Sequence, residues 1–244
     1  MRLVEKPEVD RDPRTPTRLP PQGSLMLKVL SLYDFTGVMV APWLEIADCT
    51  IVDLLHPEGI TEATSSSPRK IGVNMLEWGA DDAYDVVFAF PPCTDLAVTG
   101  NRWFHHPDRK GRIKTQADID AGMALVGAAR RIISECRPDY WFLENPISKI
   151  ATLWRKPDYY FHPYEFGGYL DPPSEGYTKR TCLWRNEGWP ELAKKPVPVL
   201  KELYLRDLPP SKRKAIREKT PAGFAQAVFE ALSPRLLKYK GGVR

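Results

Sequence analysis

The hydrophobic positions of this chain cluster into short runs that stop abruptly, which is typical of buried strands in a parallel sheet. Such runs predict strands over residues 28–32, 50–54, 85–90 and 140–143. Between the last two runs, residues 117–136 carry apolar side chains at helical spacing, so a βαβ crossover is expected there. We therefore expect an α/β fold with a doubly wound, mostly parallel sheet that residues 180–184 join later.

The third run is closed by two prolines, and Cys93 follows them. Proline fixes φ and cannot donate to a ladder, so the strand should end here and a loop should begin. Ligands of open α/β sheets bind at the carboxyl ends of the strands, where a cysteine can meet a substrate. Taken alone, Cys93 is more often a small buried structural residue.

A second strand end changes that balance. The run over residues 140–143 leads directly into Glu144, Asn145 and Pro146. Because the crossover brings both strand ends to one edge, Cys93 and Glu144 are expected to face the same cleft. That pairing sets a nucleophile beside a group able to hold or deliver a proton.

These two strand ends resemble motifs of the DNA cytosine-5 methyltransferases. Residues 92–100 resemble the family's Pro-Cys-Gln-x-Phe-Ser-x-x-Gly catalytic loop, and residues 144–146 resemble its Glu-Asn-Val motif. Upstream, residues 31–37 resemble its Asp-Leu-Phe-x-Gly-x-Gly motif, of which only the last glycine matches. Residues 217–228 resemble the closing helix, and they are closer still to short, phage-type members.

The resemblance implies a Rossmann-like methyltransferase fold and S-adenosylmethionine as cofactor. Asp53 would accept hydrogen bonds from the ribose. Asn74 stands where the family usually has an aspartate that contacts the adenine amino group. The cofactor-binding residues implied in this way are Tyr33, Asp34, Phe35, Thr36, Gly37, Asp53, Asn74 and Pro91.

The implied reaction is methyl transfer to carbon 5 of a cytosine that has been swung out of DNA. The Cys93 thiolate would add to carbon 6, while Glu144 hydrogen-bonds nitrogen 3. A reactive thiolate needs a nearby positive charge or donor. Arg180, which matches the family's Gln-x-Arg-x-Arg strand, is the predicted one, although a surface charge paired with a carboxylate is an equally good interpretation. The residues expected to contact the substrate are Pro92, Thr94 and Asn145.

The chain departs from the family pattern in two places. The target-recognition region shrinks to residues 186–210, about 25 residues, whereas domains below ~40 residues usually need staples. Phe35 and Thr36 stand in a loop that is usually lined by glycine. Open alternatives are therefore a loose or very short target site, a partner protein for recognition, a free cytosine nucleotide as substrate, and transfer of a group other than methyl.

Two other classes of protein remain as hypotheses. A non-catalytic DNA-binding relative would need neither Cys93 nor Glu144, so their presence argues against it. A different cysteine enzyme, such as an amidohydrolase, would need a histidine base. None of the histidines, His56, His105, His106 and His162, stands at an obvious strand end.

Composition sets the domain organisation. With 244 residues and 43% apolar content, the chain can hold one sizeable domain, predicted over residues 26–244. Within it, residues 147–210 are irregular and could form a small substrate lobe, and residues 211–244 contain closing helices and a basic tail. Residues 1–25 are rich in proline and predict a flexible arm, so Met26 could be the physiological start.

Charge and cysteine content indicate the setting. A net charge of +4 is compatible with DNA as partner, of either strandedness. The four cysteines lack Cys-x-x-Cys spacing, so neither a metal site nor a disulfide framework is expected. No apolar run is long enough to span a bilayer. We expect a cytoplasmic protein of a bacterial host cell, encoded by a phage.

Overall fold

The computed structural model describes residues 26–107, 111–200, 208–209, 216 and 218–241. The predicted arm over residues 1–25 lies outside the described residues, and so do most of residues 211–217 and the last residues of the basic tail.

An eight-stranded sheet organises the described residues. Its strands are β1 (Leu27–Leu32), β2 (Ala47–Val52), β3 (Gly59–Thr61), β4 (Arg69–Gly72), β5 (Val86–Ala89), β6 (Tyr140–Pro146), β7 (Tyr159–Phe161) and β8 (Thr181–Arg185). The helices are α1 (Gln116–Cys136), α2 (Ile150–Leu153) and α3 (Ala222–Gly241).

The strand order is β3-β4-β2-β1-β5-β6-β8-β7. Strands β4, β2, β1, β5 and β6 run parallel to one another, while β3 and β8 pair antiparallel with their neighbours. Strand order reverses between β1 and β5, which is the switch point of a doubly wound sheet. The predicted Rossmann-like, mostly parallel fold class is confirmed.

Each face of the sheet carries its own hydrophobic core. Helix α1 covers one face, where Val126 and Ile132 pack with Val87. Helix α3 covers the other, where Phe224 packs with Phe88. All four residues of β5 are buried because they alternate between these two cores. This explains why the central strands are continuous hydrophobic runs in the sequence.

Helix α1 begins and ends at clear local signals. Asp118 accepts a hydrogen bond from the Thr115 backbone N–H at 2.7 Å, forming a capping box. Arg137 ends the helix in the left-handed conformation, with φ of 49°. The predicted crossover helix is thereby confirmed, with its start one residue earlier than the sequence pattern indicates.

Strand β6 is longer than predicted. It continues to Pro146, because Glu144, Asn145 and Pro146 pair with Leu183, Cys182 and Thr181 of β8. Glu144 therefore lies inside a strand, where the sequence pattern placed it just after one. This position in the sheet fixes its backbone and sets the face on which its side chain projects.

The aromatic segment after residue 147 belongs to the main core. The rings of Phe161 and Phe224 stack with centroids 4.1 Å apart, and Phe166 packs against Phe224 at 5.7 Å. These side chains join the main core because α3 returns across the sheet and closes over them. Among the described residues, no helix is long and apolar enough to cross a membrane, and no metal-binding group of side chains occurs.

Candidate functional site

The carboxyl ends of the parallel strands meet at one edge of the sheet. Residues 33–37 follow β1, Asp53 follows β2 and Asn74 lies just beyond β4. The loop that contains Cys93 follows β5, and Glu144 lies near the end of β6. The fold therefore gathers the predicted site residues along one edge, as expected for a doubly wound sheet.

The Cys93 loop is held by its own turn and by α1. The Cys93 carbonyl accepts hydrogen bonds from the N–H groups of Leu96 and Ala97, at 3.1 and 2.8 Å. Leu96 is buried against Gly122 of α1, where a Cβ atom would lie 2.9 Å from the Leu96 Cγ. The Cys93 thiol itself is free and half-buried.

Asn145 connects the ends of β5 and β6. It is 1% exposed, and its Nδ2 donates to the Pro91 carbonyl at 2.8 Å. Its Oδ1 is buried without a hydrogen-bond partner among the described residues. The structure thus gives Asn145 a place beneath the Cys93 loop, and it gives Pro91 a backbone contact with Asn145. Pro92 and Thr94 are exposed on either side of Cys93.

Glu144 is close enough to Cys93 to affect the ionisation of its thiol. Burial and the Glu144 carboxylate both raise the pKa of the Cys93 thiol, and Glu218 raises it further. Burial also raises the pKa of Glu144, whose carboxyl group makes no hydrogen bond or ion pair within the described residues. An unpaired carboxyl beside a thiol at the carboxyl edge of a parallel sheet is a candidate catalytic pair.

The cation of this pair is Lys179. It lowers the pKa of both Cys93 and Glu144. Lys179 is half-buried, and its ammonium group makes no hydrogen bond or ion pair with any other residue that the structure describes. The expected lowering of the Cys93 pKa is nevertheless wrong in its net direction, because burial outweighs the lysine.

Arg180 points away from the pair. Paired residues of antiparallel strands share a face, so Glu144 and Leu183 project together. Alternation back from Leu183 puts Lys179 on that face and Arg180 on the opposite one. The Arg180 guanidinium lies 4.7 Å from the ring centroid of Tyr160. The prediction that Arg180 lowers the pKa of Cys93 is therefore corrected. The alternation of side chains along a strand was the signal in the sequence that could have indicated Lys179 instead.

The start of α3 is fastened behind this pair. Glu175 accepts hydrogen bonds from the N–H groups of Ala222 and Gly223, at 2.8 and 3.1 Å. A Cβ atom on Gly223 would lie 2.2 Å from the Phe166 carbonyl oxygen, so only glycine fits there. Sequence reasoning missed Glu175, whose carboxylate ties the segment before Lys179 to the helix.

The loop after β1 is closed on itself. The buried Asp34 carboxylate accepts hydrogen bonds from Ser31 Oγ at 2.8 Å, from Thr36 N–H at 3.1 Å and from Gly37 N–H at 2.7 Å. Tyr33 donates its hydroxyl to the Leu125 carbonyl at 2.8 Å. The N–H groups of Thr36 and Gly37 are thus engaged inside the loop. Gly37 has φ of 69°, which glycine tolerates best.

Asp53 and Asn74 differ in the hydrogen-bond acceptors that they leave free for a ligand. Asp53 Oδ1 accepts the Leu55 N–H at 2.8 Å, while Oδ2 makes no hydrogen bond among the described residues. Asn74 Oδ1 accepts the Leu76 N–H at 3.1 Å and its Nδ2 donates to Glu77. A carbonyl oxygen has a second lone pair, so Asn74 keeps one acceptor site.

Apolar side chains surround Asp53 at the surface. Leu54 and Leu55 are 71% and 72% exposed, and Phe35 is 53% exposed with its ring stacked on His56 at 5.3 Å. An exposed apolar group beside a free carboxylate oxygen suits a ligand with a flat ring and hydroxyl groups.

A separate cleft lies at the opposite edge of the sheet. Its position follows from the register, since Arg185 pairs with Phe142 at the amino end of β6. It contains no candidate nucleophile, so it is not part of the site. The cleft is lined by Asp158, Arg185, Asn186, Glu187, Gly188 and Trp189.

Solved structures show distant likenesses to this chain. A protein assigned as a DNA modification methyltransferase encoded within a prophage of E. coli aligns at 13% identity and a TM-score of 0.43, over 75% of this chain and 56% of that chain. The DhpI complex with SAM and HEP aligns at 12% identity and a TM-score of 0.28, over 66% and 64%.

The glycopeptide N-methyltransferase MtfA in complex with S-adenosyl-L-methionine aligns at 14% identity and a TM-score of 0.26, over 55% and 49% of the two chains. This chain therefore spans little more than half the length of the prophage protein. No protein-family profile and no curated protein matches the sequence. Likenesses as distant as these do not indicate an activity for this chain.

Proposed function

We propose that this protein transfers a methyl group from S-adenosylmethionine to carbon 5 of cytosine in DNA, through a covalent adduct with Cys93. The observation that carries the proposal is the triad of Cys93, Glu144 and Lys179. All three side chains are half-buried and electrostatically coupled at the carboxyl edge of the sheet. The motif order in the sequence supports the same reaction.

The residues along the donor half of the edge, residues 33–37, Asp53 and Asn74, fit the cofactor in part. Asp53 has a free carboxylate oxygen for the ribose hydroxyls, and the exposed Leu54 offers an apolar surface to adenine. The loop after β1 fits less well, because Asp34 already takes the N–H groups of Thr36 and Gly37. When bound, S-adenosylmethionine supplies an electrophilic methyl group.

Cys93 and Glu144 would act together on the cytosine ring in the acceptor half of the edge, which Cys93, Glu144 and Lys179 form. The Cys93 thiolate adds to carbon 6, and the electron pair of the broken ring double bond makes carbon 5 nucleophilic. The raised pKa of Glu144 favours a protonated carboxyl, which can donate to nitrogen 3 as that electron density grows. After carbon 5 has taken the methyl group, it loses its proton to water and the sulfur–carbon bond breaks.

Lys179 would favour the thiolate form of Cys93 in this pair. Burial keeps the thiol protonated, and a positive charge on the same face favours the thiolate that must attack. The same ammonium group is free to contact an anionic or carbonyl oxygen of the substrate. A cation beside the Cys93–Glu144 pair therefore supports a nucleophilic mechanism better than a purely structural role.

The experiment is incubation of the purified full chain with S-adenosylmethionine and cytosine-rich DNA, single- and double-stranded, followed by mass spectrometry of the nucleosides. A gain of one methyl group on deoxycytidine is expected. A gain of a different mass would indicate that the protein transfers a group other than methyl from a variant donor. No gain on either form of DNA, with methylation of free cytidine nucleotides instead, would refute DNA as substrate.

The matched control is Cys93→Ser, which should give no product. Product formed at the full rate by this variant would contradict the covalent adduct. The setting in a bacterial host cell and the origin in a phage are part of the same proposal. They do not affect the assay.

A further inference from the structure

The surface next to Cys93 and Glu144 is built from two segments that the catalytic loops lead into. We name residues 97–104 and 147–154 the basic ledge. The Val98 N–H donates to the Ile147 carbonyl at 3.0 Å, and the Lys149 N–H donates to the Leu96 carbonyl at 2.9 Å. These hydrogen bonds make the ledge a continuous surface beside the candidate catalytic pair.

Cations dominate the charge of the basic ledge. Residues 97–104 and 147–154 include Arg102 and Lys149 but no acidic residue. The nearest acid in the chain, Asp95, is neutralised by Lys114 at 2.9 Å. Neither Arg102 nor Lys149 forms an ion pair with another described residue, so their charge is available to phosphates.

The cations lie over aromatic rings. The Arg102 guanidinium is 4.0 Å from the Trp103 ring centroid, and Lys149 Nζ is 5.1 Å from that of Phe104. These contacts hold both charged groups close to the ledge while leaving them at the surface. Cations held in place lose less freedom when they bind an anion than mobile ones do.

Exposed apolar side chains complete the basic ledge. Val98 is 46% exposed and Ile147 is 41% exposed, and the two residues are neighbours through their backbone hydrogen bond. Apolar surface beside fixed cations suits unstacked bases and their phosphates. A duplex hides its base faces, so it would leave these apolar groups without a partner.

We propose that the basic ledge binds single-stranded DNA next to the target cytosine, a substrate form that rests on the proposed function. The acceptor strand then runs from the Cys93–Glu144 pair across Val98 and Ile147, with phosphates at Arg102 and Lys149. A base that is already unpaired costs least to place in the site.

The segment after β8 is consistent with a single-stranded substrate. Its described part packs back onto the body, with Val197 N–H donating to Tyr164 and Leu200 N–H donating to Gly176, both at 2.9 Å. These hydrogen bonds hold the end of the described segment, near residues 197–200, against the body of the protein.

The test measures binding without cofactor, by fluorescence anisotropy with a dye-labelled, cytosine-containing oligonucleotide of about 16 nucleotides. The full chain should bind the single strand about tenfold more tightly than the same sequence in a duplex. Substitution of both cations, R102Q with K149Q, should weaken single-strand binding about tenfold and reduce the salt slope by about 1.4. K238Q, at an exposed cation near the end of α3, is the matched control.

A second pair of substitutions separates stacking from charge. V98S with I147S keeps every charge, and it should weaken single-strand binding at least about fivefold if bases lie on these side chains. Thermal unfolding of each variant checks that the fold is intact, and both pairs change exposed or half-buried side chains.

Three outcomes would overturn the proposal: equal or tighter binding of the duplex, unchanged binding by the cation variants, or unchanged binding by the apolar variants. The proposed function fails separately. Single-strand binding with no methyl transfer would leave the basic ledge intact and refute the reaction. Methyl transfer to DNA that is unaffected by the ledge variants would refute the basic ledge as the binding surface and leave the proposed reaction intact.

Discussion

The donor and acceptor halves of the sheet edge differ in how their polar groups are satisfied. In the donor half, Asp34 takes hydrogen bonds from its own loop and Asn74 closes a turn with Leu76 and Glu77. In the acceptor half, Glu144 and Lys179 make no hydrogen bond to another described side chain. Buried polar groups are normally paired, so leaving them unpaired costs stability.

This difference distinguishes a half whose loops are held by local hydrogen bonds from a half whose polar groups are left free. The donor half is shaped by local hydrogen bonds, which form within a few residues of the chain and need little from the rest of the fold. The acceptor half assembles groups from β5, β6 and the segment before β8, and it keeps them unsatisfied. Perturbed pKa values are common where reactions occur, and burial raises the pKa of both Cys93 and Glu144 in the acceptor half.

The charges of the two halves also differ. Residues 53–82, which include Asp53 and Asn74 of the donor half, carry six acidic residues against Arg69 and Lys70, whereas the basic ledge beside the acceptor half has no acidic residue. A sulfonium cofactor is positively charged and DNA is negatively charged. The distribution of charge therefore matches the two ligands that we propose for the two ends of the edge.

Cys93→Ser should have the largest effect and should break the acceptor half alone. We expect methyl transfer to fall below detection, because a serine hydroxyl is a much weaker nucleophile than a thiolate. Cofactor affinity, measured by isothermal titration calorimetry, should stay within about twofold since Cys93 lies outside the donor half. Cys136→Ala, at a buried cysteine of α1, should retain transfer. A joint loss of cofactor binding in the serine variant would contradict the division into halves.

Gly223→Ala should disturb both halves together. Its Cβ atom would lie 2.2 Å from the Phe166 carbonyl oxygen, so the start of α3 must move. We expect a loss of about 3 kcal/mol in the free energy of unfolding, measured by urea denaturation. Gly127→Ala is the control, because its Cβ atom meets nothing within 4 Å, and it should gain up to about 1 kcal/mol. Equal stability of the two variants would show that α3 is not fastened at Gly223.

Asp53→Ala should break the donor half alone. Hydrogen bonds to a charged group contribute about 1.5–3 kcal/mol, so cofactor affinity should fall about tenfold to a hundredfold. The rate at which iodoacetamide alkylates Cys93 should not change, because Asp53 does not affect the ionisation of that thiol. Unchanged cofactor affinity would mean that the ribose binds elsewhere.

Lys179→Gln should have the smallest effect, confined to the charge of the acceptor half. Lys179 lowers the pKa of Cys93, so its removal raises that pKa and moves the pH profile of alkylation to higher pH. An interaction of about 1 kcal/mol corresponds to about a fivefold slower reaction at a fixed pH below the pKa.

Arg180→Gln is the matched control for this lysine. It removes the neighbouring charge on the opposite face and should leave the alkylation profile where it is. If Arg180→Gln shifted the profile and Lys179→Gln did not, the assignment of the two faces would be reversed.

The strands and the crossover could be predicted because their physical cause is local in the sequence. A strand buried on both faces must be apolar at every position, as β5 is. Two prolines after Phe90 end that strand without any tertiary contact. The position of Cys93 at the carboxyl edge, and its meeting with Glu144, follow from the βαβ connection alone.

The cation of the acceptor half could not be predicted in the same way. Choosing Lys179 over Arg180 requires the register between β6 and β8, and that register joins residues far apart in the chain. A slip of one residue would exchange the two faces. The length of β6 has the same cause, since its last residues are in a strand only because β8 pairs with them.

By itself, the sequence determined the order of the strands along the chain, the abrupt turn before Cys93 and the choice of Cys93 and Glu144 as the proposed nucleophile and carboxylate. These depend on hydrophobic periodicity and proline geometry, which act over a few residues. Only the tertiary structure decided which cation meets the pair, that Asn145 lies buried beneath Pro91, and that Phe161 and Phe166 join the main core. Those outcomes depend on pairing and burial between distant segments, because desolvation and side-chain facing exist only once the sheet has assembled.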